Sequence, residues 1–62
     1  MQTTDLIVLN FDDRSVDFYS FDFKMNDDEI EDFLFNRKNY KESEIQWMFG
    51  SKITFNNYGN NY

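Results

Sequence analysis

Carboxylates are the only side chains in this chain numerous enough to suggest acid–base or metal chemistry. Its 62 residues hold 12 Asp and Glu against 6 Lys and Arg, with no histidine and no cysteine. Those two absences remove His-activated nucleophiles, thiolate nucleophiles and the usual zinc ligand sets. Two glycines in the whole chain leave no phosphate-cradling loop. Of the acids, Asp12 and Asp13 sit side by side on a polar turn. Asp17 and Asp22 fall on one candidate strand at a separation that points them to opposite faces, roughly 17 Å apart. That is too far for either glycosidase geometry. The run Asp12-Asp13-Arg14-Ser15-Val16-Asp17 lacks both the spacing and the glycine of a calcium loop. Asp27, Asp28, Glu29, Glu31 and Asp32 fan around a helix axis instead of converging on an ion. A two-layer domain of this size also leaves little room for a substrate cleft. The expectation is a protein that is not an enzyme and uses no metal or cofactor.

The same acids suit binding better than catalysis. Asp28, Glu31, Asp32 and Phe35 share one helix side at i, i+3, i+4, i+7 spacing, with Asp27 beside them. A solvated helix face looks like this. So does a row of carboxylates that imitates phosphates and fills a basic nucleic-acid groove. Phe35 is the misfit on that side, an aromatic turned away from the expected core and able to anchor a contact. Tyr40 and Trp47 complete the candidate partner-binding set where they are exposed. Arg37, Lys38 and Lys41 flank Tyr40 in a pattern that single-stranded nucleic acid binders use. Against a net charge of −6 they are better explained by the helix dipole and by the Arg37 stem packing on Phe33.

These residues need elements to position them. Asp5 to Phe11 is apolar and partly β-branched, and reads as a strand. Asp12-Asp13-Arg14-Ser15 is a polar connection, and Val16 to Phe23 is an aromatic-rich second strand, so the pair forms a hairpin. Two registers compete. With Phe11 opposite Val16, Asp5 meets Asp22 and both faces are apolar. With Phe11 opposite Asp17, the residues Ile7, Leu9, Phe11, Tyr19, Phe21 and Phe23 gather on one face. The second is what a sheet covered on one side asks for. Asn26 and Glu29 fit a capping box, Asp27 and Asp28 match the positive end of the helix dipole, and Arg37 and Lys38 match the other end. The spacing predicts a helix from about Asp27 to Lys38, with Ile30, Phe33 and Leu34 inward. Glu44 to Phe49 alternates as a strand, with Ile45, Trp47 and Phe49 on one side; a short helix capped at Ser43 and ended by Gly50 is the rival. Gly50-Ser51 reads as a hairpin turn into a last strand, Lys52 to Phe55; a two-residue loop would set Phe49 opposite Lys52 and Met48 opposite Ile53, and a three-residue loop would align Phe49 with Ile53 and Trp47 with Phe55. The resulting fold class is α+β in the order β-β-α-β-β, with one four-stranded antiparallel sheet and a single helix packed on one face. Residues 1–56 form the domain, and 57–62 form a disordered Asn/Tyr-rich tail.

Bulk composition frames that layout. A chain of this length buries only about 60% of its unfolded surface. With no disulfide or thiolate metal site to brace it, the apolar core must hold the fold. Eight Phe, four Tyr and one Trp are many for one helix-on-sheet layer, so some either cover the far side of the sheet or form a binding or dimer surface. The net charge disfavours direct contact with nucleic acid or an anionic membrane. No apolar run approaches the ~20 residues of a membrane span, and Met1-Gln2-Thr3-Thr4-Asp5 lacks a basic signal-peptide start. The expected location is the cytoplasm, a bacterium's or an infected host's.

The strand–turn–strand Ile7-Val8-Leu9-Asn10-Phe11-Asp12-Asp13-Arg14-Ser15-Val16-Asp17 resembles the opening of short uncharacterised phage and mobile-element proteins of Bacteroides-type bacteria. The acidic helix Asp28-Glu29-Ile30-Glu31-Asp32-Phe33-Leu34, the segment Gln46-Trp47-Met48 and the end Lys52-Ile53-Thr54-Phe55 are similar to theirs, so the likeness spans about residues 6–56. Where those proteins leave the helix on a glycine, this chain has Asn36 to Tyr40. The resemblance implies a phage or mobile-element context and carries no activity or site residues. Taken with the residues, it points to a small acidic binding protein, a phage-type inhibitor or regulator of a host protein. Its target would have a basic nucleic-acid surface, as an anti-CRISPR's would. The alternative is a structural or assembly protein that forms a homodimer or larger homo-oligomer through the sheet.

Overall fold

The computed structural model describes residues 2–59. Strand β1 (Thr4–Asn10) lies between β2 (Ser15–Phe21) and β3 (Ile45–Gly50), and both neighbours pair with it antiparallel. Helix α1 (Asp27–Asp32) runs directly into a π-helical stretch, Phe33–Arg37, and a short 3₁₀ turn at Glu42–Glu44 leads into β3. The helical segment covers one face of the sheet. Leu6, Val8, Met25, Ile30, Leu34 and Ile45 form the buried core between them.

The sheet has three strands, which corrects the four-stranded expectation. Lys52–Phe55 does not pair beside β3; it leaves the plane of the sheet. Thr3 Oγ1 donates to the Ser51 carbonyl, the Ile53 amide donates to Asp5 Oδ2 at 3.2 Å, and the Phe55 ring packs edge-on against Phe18. A tight hairpin at Gly50-Ser51 would have set Met48 opposite Ile53 and Phe49 opposite Lys52, scattering apolar residues over both faces. Crossing the outer face of β1 gives Ile53 and Phe55 apolar cover instead. The strand reading of Glu44–Phe49 agrees with β3, and its alternation places Ile45, Trp47 and Phe49 toward the core. Of the expected tail, Asn57 to Gly59 are exposed and outside any helix or strand, while 60–62 lie outside the described residues.

The hairpin register differs from both candidates. Leu6 faces Tyr19, Ile7 faces Phe18 and Leu9 faces Val16. The preferred expectation put Ile7, Leu9 and Phe11 in the core; Leu6 and Val8 hold that place. The division between faces is that of the other candidate, slid by two residues. The slide replaces the Asp5–Asp22 repulsion with a Ser20 hydroxyl that donates to Asp5 Oδ1 at 3.2 Å. The loop makes it possible. Asn10 Oδ1 accepts from the Asp12 and Asp13 amides, and Arg14 takes a left-handed φ of 54°, so Phe11–Arg14 forms the turn and Phe11 stays out of the strand.

Thr4 ties the hairpin to the helix. Its buried Oγ1 accepts from the Met25 amide at 2.8 Å and donates to the Phe23 carbonyl at 2.9 Å. The chain is thereby bent back over the sheet just before Asn26. There the expected capping box forms, with Asn26 Oδ1 accepting from the Glu29 amide and Glu29 Oε1 from the Asn26 amide, both at 2.9 Å.

The second half of the helix widens. The Lys38 amide reaches the Phe33 carbonyl, an i→i+5 bond, and the Tyr40 amide reaches the Leu34 carbonyl. Asn39, with φ of 60°, makes the left-handed exit that glycine usually serves. A wider turn advances fewer degrees per residue, so Phe33, Leu34 and Phe35 all face the sheet. Phe35 is therefore half-buried under the helix and not on its outer side.

Candidate interaction surfaces

Three surfaces emerge from this frame. The first is the outer side of α1, where Asp27, Asp28, Glu31 and Asp32 are all exposed. Asp32 accepts from Asn36 Nδ2 at 2.8 Å and pairs with Arg37 Nε at 3.5 Å. The Asn36 hydrogen bond, followed by the Arg37 contacts, holds its carboxyl below the usual carboxylate value. That is the one ion pair among the described residues, and both partners are more than half exposed. Asp27, Asp28 and Glu31 take part in no ion pair among the described residues, so their charge is open to a partner.

Beside that face lies an open groove of about 630 Å³ between the helix and the edge strand β2. Its floor is aromatic: Phe21 and Phe33 meet edge-to-face at 5.0 Å, and Phe21 and Phe23 lie 5.9 Å apart. Asp28, Glu29 and Asp32 stand on its rim, with Arg37 at one end. Glu29 is committed to the capping box, which leaves Asp28 as the rim carboxylate without a partner among the described residues. Aromatic faces with carboxylates above them attract cations through the ring quadrupole and through charge. A use of this kind already exists within the fold, for Lys38 Nζ stands 5.4 Å from the Tyr19 ring centre and 5.9 Å from that of Phe33.

The expected partner-binding set is thus divided. Its four acids lie together, but its three aromatics do other work. Phe35 and Trp47 pack on each other at 5.5 Å, between helix and sheet. Tyr40 is half-buried at the far end of the sheet, where its hydroxyl donates to Asp17 Oδ2 at 2.6 Å and lies 2.7 Å from the Tyr19 hydroxyl. Burial, then the hydrogen bonds to Asp17 and Tyr19, push the Tyr40 phenol well above its ordinary value. Its one proton is given to the carboxylate, so Tyr19 is the donor between the two phenols. The network ties the segment after the helix to β2 and serves the fold.

The third surface is the sheet face away from the helix. Leu9, Val16, Phe18 and Met48 are 40–61% exposed there, around a half-buried Ile7, and Phe55 joins them through Phe18. The sequence reading missed this surface because it placed Ile7 and Leu9 inside. The Asp5–Asp22 conflict in the register that kept these residues together was the signal. Sliding that register by two residues removes the conflict and leaves Ile7, Leu9, Val16 and Phe18 on one side. The aromatic groove was equally missed, since Phe21, Phe23 and Phe33 were counted as core.

No family model, curated protein or solved structure matches this chain. Among the described residues no helix is long and apolar enough to cross a membrane, and no group of three or more acidic side chains is placed to hold a metal ion.

Proposed function

We propose that this chain is a non-enzymatic binding protein that docks its acidic helix face on a basic protein surface. Asp27, Asp28, Glu31 and Asp32, all exposed along one side of α1 with Asp32 alone ion-paired among the described residues, carry this reading. The aromatic groove supports it, since a Lys or Arg side chain of the partner fits over Phe21, Phe23 and Phe33 with Asp28 above it. Long-range attraction between an acidic ligand and a basic groove speeds encounter and selects partners. A partner surface that ordinarily holds nucleic acid has the matching charge. With the resemblance to phage and mobile-element proteins, this makes the chain a phage-type inhibitor or regulator acting in a bacterial cytoplasm. Anti-defence activity of the anti-CRISPR type is the form that fits best.

The test is affinity purification of the tagged chain from bacterial lysate, repeated with Asp27, Asp28 and Asp32 changed to Asn and Glu31 to Gln. A basic partner captured by the native chain, lost with the neutral variant and lost again at high salt is the expected result. A partner retained by the neutral variant would move the contact away from the helix and overturn the proposal. Far-UV circular dichroism of the variant establishes that α1 still forms.

A further inference from the structure

We infer that the groove between α1 and β2 is an arginine site: it takes one guanidinium of a partner, with the flat face of the cation on the Phe21, Phe23 and Phe33 rings and its N–H fork on the Asp28 carboxylate. The inference rests on the proposed docking of the acidic helix face and names the side chain that enters there.

Charge selects a cation. Three carboxylates line the groove, Asp28, Glu29 and Asp32, against the single guanidinium of Arg37. Arg37 is answered by Asp32 at 3.5 Å, and Glu29 Oε1 accepts from the Asn26 amide at 2.9 Å. Asp28 is exposed and has no partner among the described residues, so the rim keeps an uncommitted negative charge. The rings are open as well. Among the described residues Lys38 alone stands over aromatic faces, those of Tyr19 and Phe33, which leaves Phe21 and Phe23 without a cation. Phe23 is 53% exposed, the most open of the three rings.

The floor selects a guanidinium over an ammonium. Phenylalanine rings carry no hydrogen-bond acceptor, and Phe21 and Phe33 meet at 86° with their centres 5.0 Å apart. A lysine ammonium is a strongly hydrated point charge whose three donors radiate in space. Seated here, it would trade water for one carboxylate and leave donors facing rings. A guanidinium holds all its donors in one plane and is more weakly hydrated, so its faces can lie on aromatic carbon while its edge reaches Asp28. The groove's volume of about 630 Å³ also has room for the aliphatic stem.

The test is a titration of the ¹⁵N-labelled full chain with arginine blocked at both termini, followed by amide shifts at constant ionic strength. Blocked lysine has the same charge and measures general attraction to a chain of net charge −6. Blocked citrulline has nearly the same shape and no charge. Arginine is expected to move the amides of Phe21, Phe23, Asp28 and Phe33 in a saturating curve, with lysine several-fold weaker and citrulline silent. Phe23→Leu keeps an apolar side chain but removes the π face, and should weaken arginine binding about two- to fivefold, the worth of one exposed cation–π contact. Asp28→Asn should weaken it by a similar factor, and decides the matter if Phe23→Leu fails to fold by circular dichroism. Equal response to lysine and arginine, shifts confined to other residues, or unchanged binding in a folded Asp28→Asn variant would each overturn the inference. A basic partner captured by a chain whose groove ignores arginine would leave the helix docking standing and remove the groove from it. A groove that binds arginine in a chain that captures no basic partner would uphold the site and sink the docking.

Discussion

The Phe35 ring stands edge-on to the indole of Trp47, their centres 5.5 Å apart, and closes the core beneath the π-helical turn. Edge-to-face pairs of this kind add about 0.5–1.5 kcal/mol beyond the area they bury. Phe35→Ala should therefore cost about 2 kcal/mol in urea unfolding, less than the truncation of a fully buried ring. Because Trp47 is the only tryptophan, its fluorescence reports the site directly. The variant's emission should shift to the red. A change within about 0.5 kcal/mol, the usual range for a surface position, would return Phe35 to the outside of the helix.

Thr4→Val tests the hinge between hairpin and helix. The replacement keeps the shape but strips both hydrogen bonds and leaves the Met25 amide unsatisfied in a buried position. A loss of about 1–3 kcal/mol is expected by chemical denaturation. Thr4→Ser, which keeps the hydroxyl, should lose clearly less. Equal losses would mean that packing of the methyl group, and not the hydrogen bonds, sets the hinge.

Alkaline titration should expose the Tyr40 network. The folded state holds the Tyr40 phenol protonated beyond its ordinary value of 10.0, while the unfolded chain releases that proton near it. The native state then binds more protons than the unfolded one, so this group's contribution to stability is fully present and constant below about pH 10 and is lost as pH rises above it. Tyr40→Phe should remove that contribution to the alkaline fall. It should also cost about 1 kcal/mol at neutral pH, because Asp17 and Tyr19 lose their partner. Unfolding curves at pH 7 and in the alkaline range provide both readings, and an alkaline fall of unchanged size in Tyr40→Phe would refute the assignment.

Asn39 offers a backbone test. Its φ of 60° lies where glycine is at ease and a β-carbon is strained. Asn39→Gly should be neutral or slightly stabilising, and Asn39→Ala should cost about 1 kcal/mol. Thermal melts that rank the three as Gly at least equal to Asn, and Asn above Ala, would agree with the left-handed exit. A stabilising Ala would contradict it.

Local chemistry was readable from the sequence where each residue's role depends on near neighbours. The capping box at Asn26 and Glu29, the acids in the first turn and the alternation of Ile45, Trp47 and Phe49 are of this kind, and each appears in the fold as its spacing implies. The exposed acids of the candidate site follow from the same short-range logic. Phe35 did not, because a π-turn forms when the helix gains more from seating three consecutive apolar residues on the sheet than from keeping α geometry. Lys52–Phe55 met the local criteria for a strand, yet apolar cover on the far face and the Asp5 carboxylate drew it across the sheet. The hairpin's core face was beyond any local rule. In β1, Leu6 and Val8 on one side are as apolar as Ile7 and Leu9 on the other, so period-two alternation alone leaves the choice open. Sequence by itself therefore determined which residues carry charge, where the helix begins and that the strands alternate. Only tertiary packing, with α1 settling on Leu6 and Val8, decided which apolar face became core and which became surface.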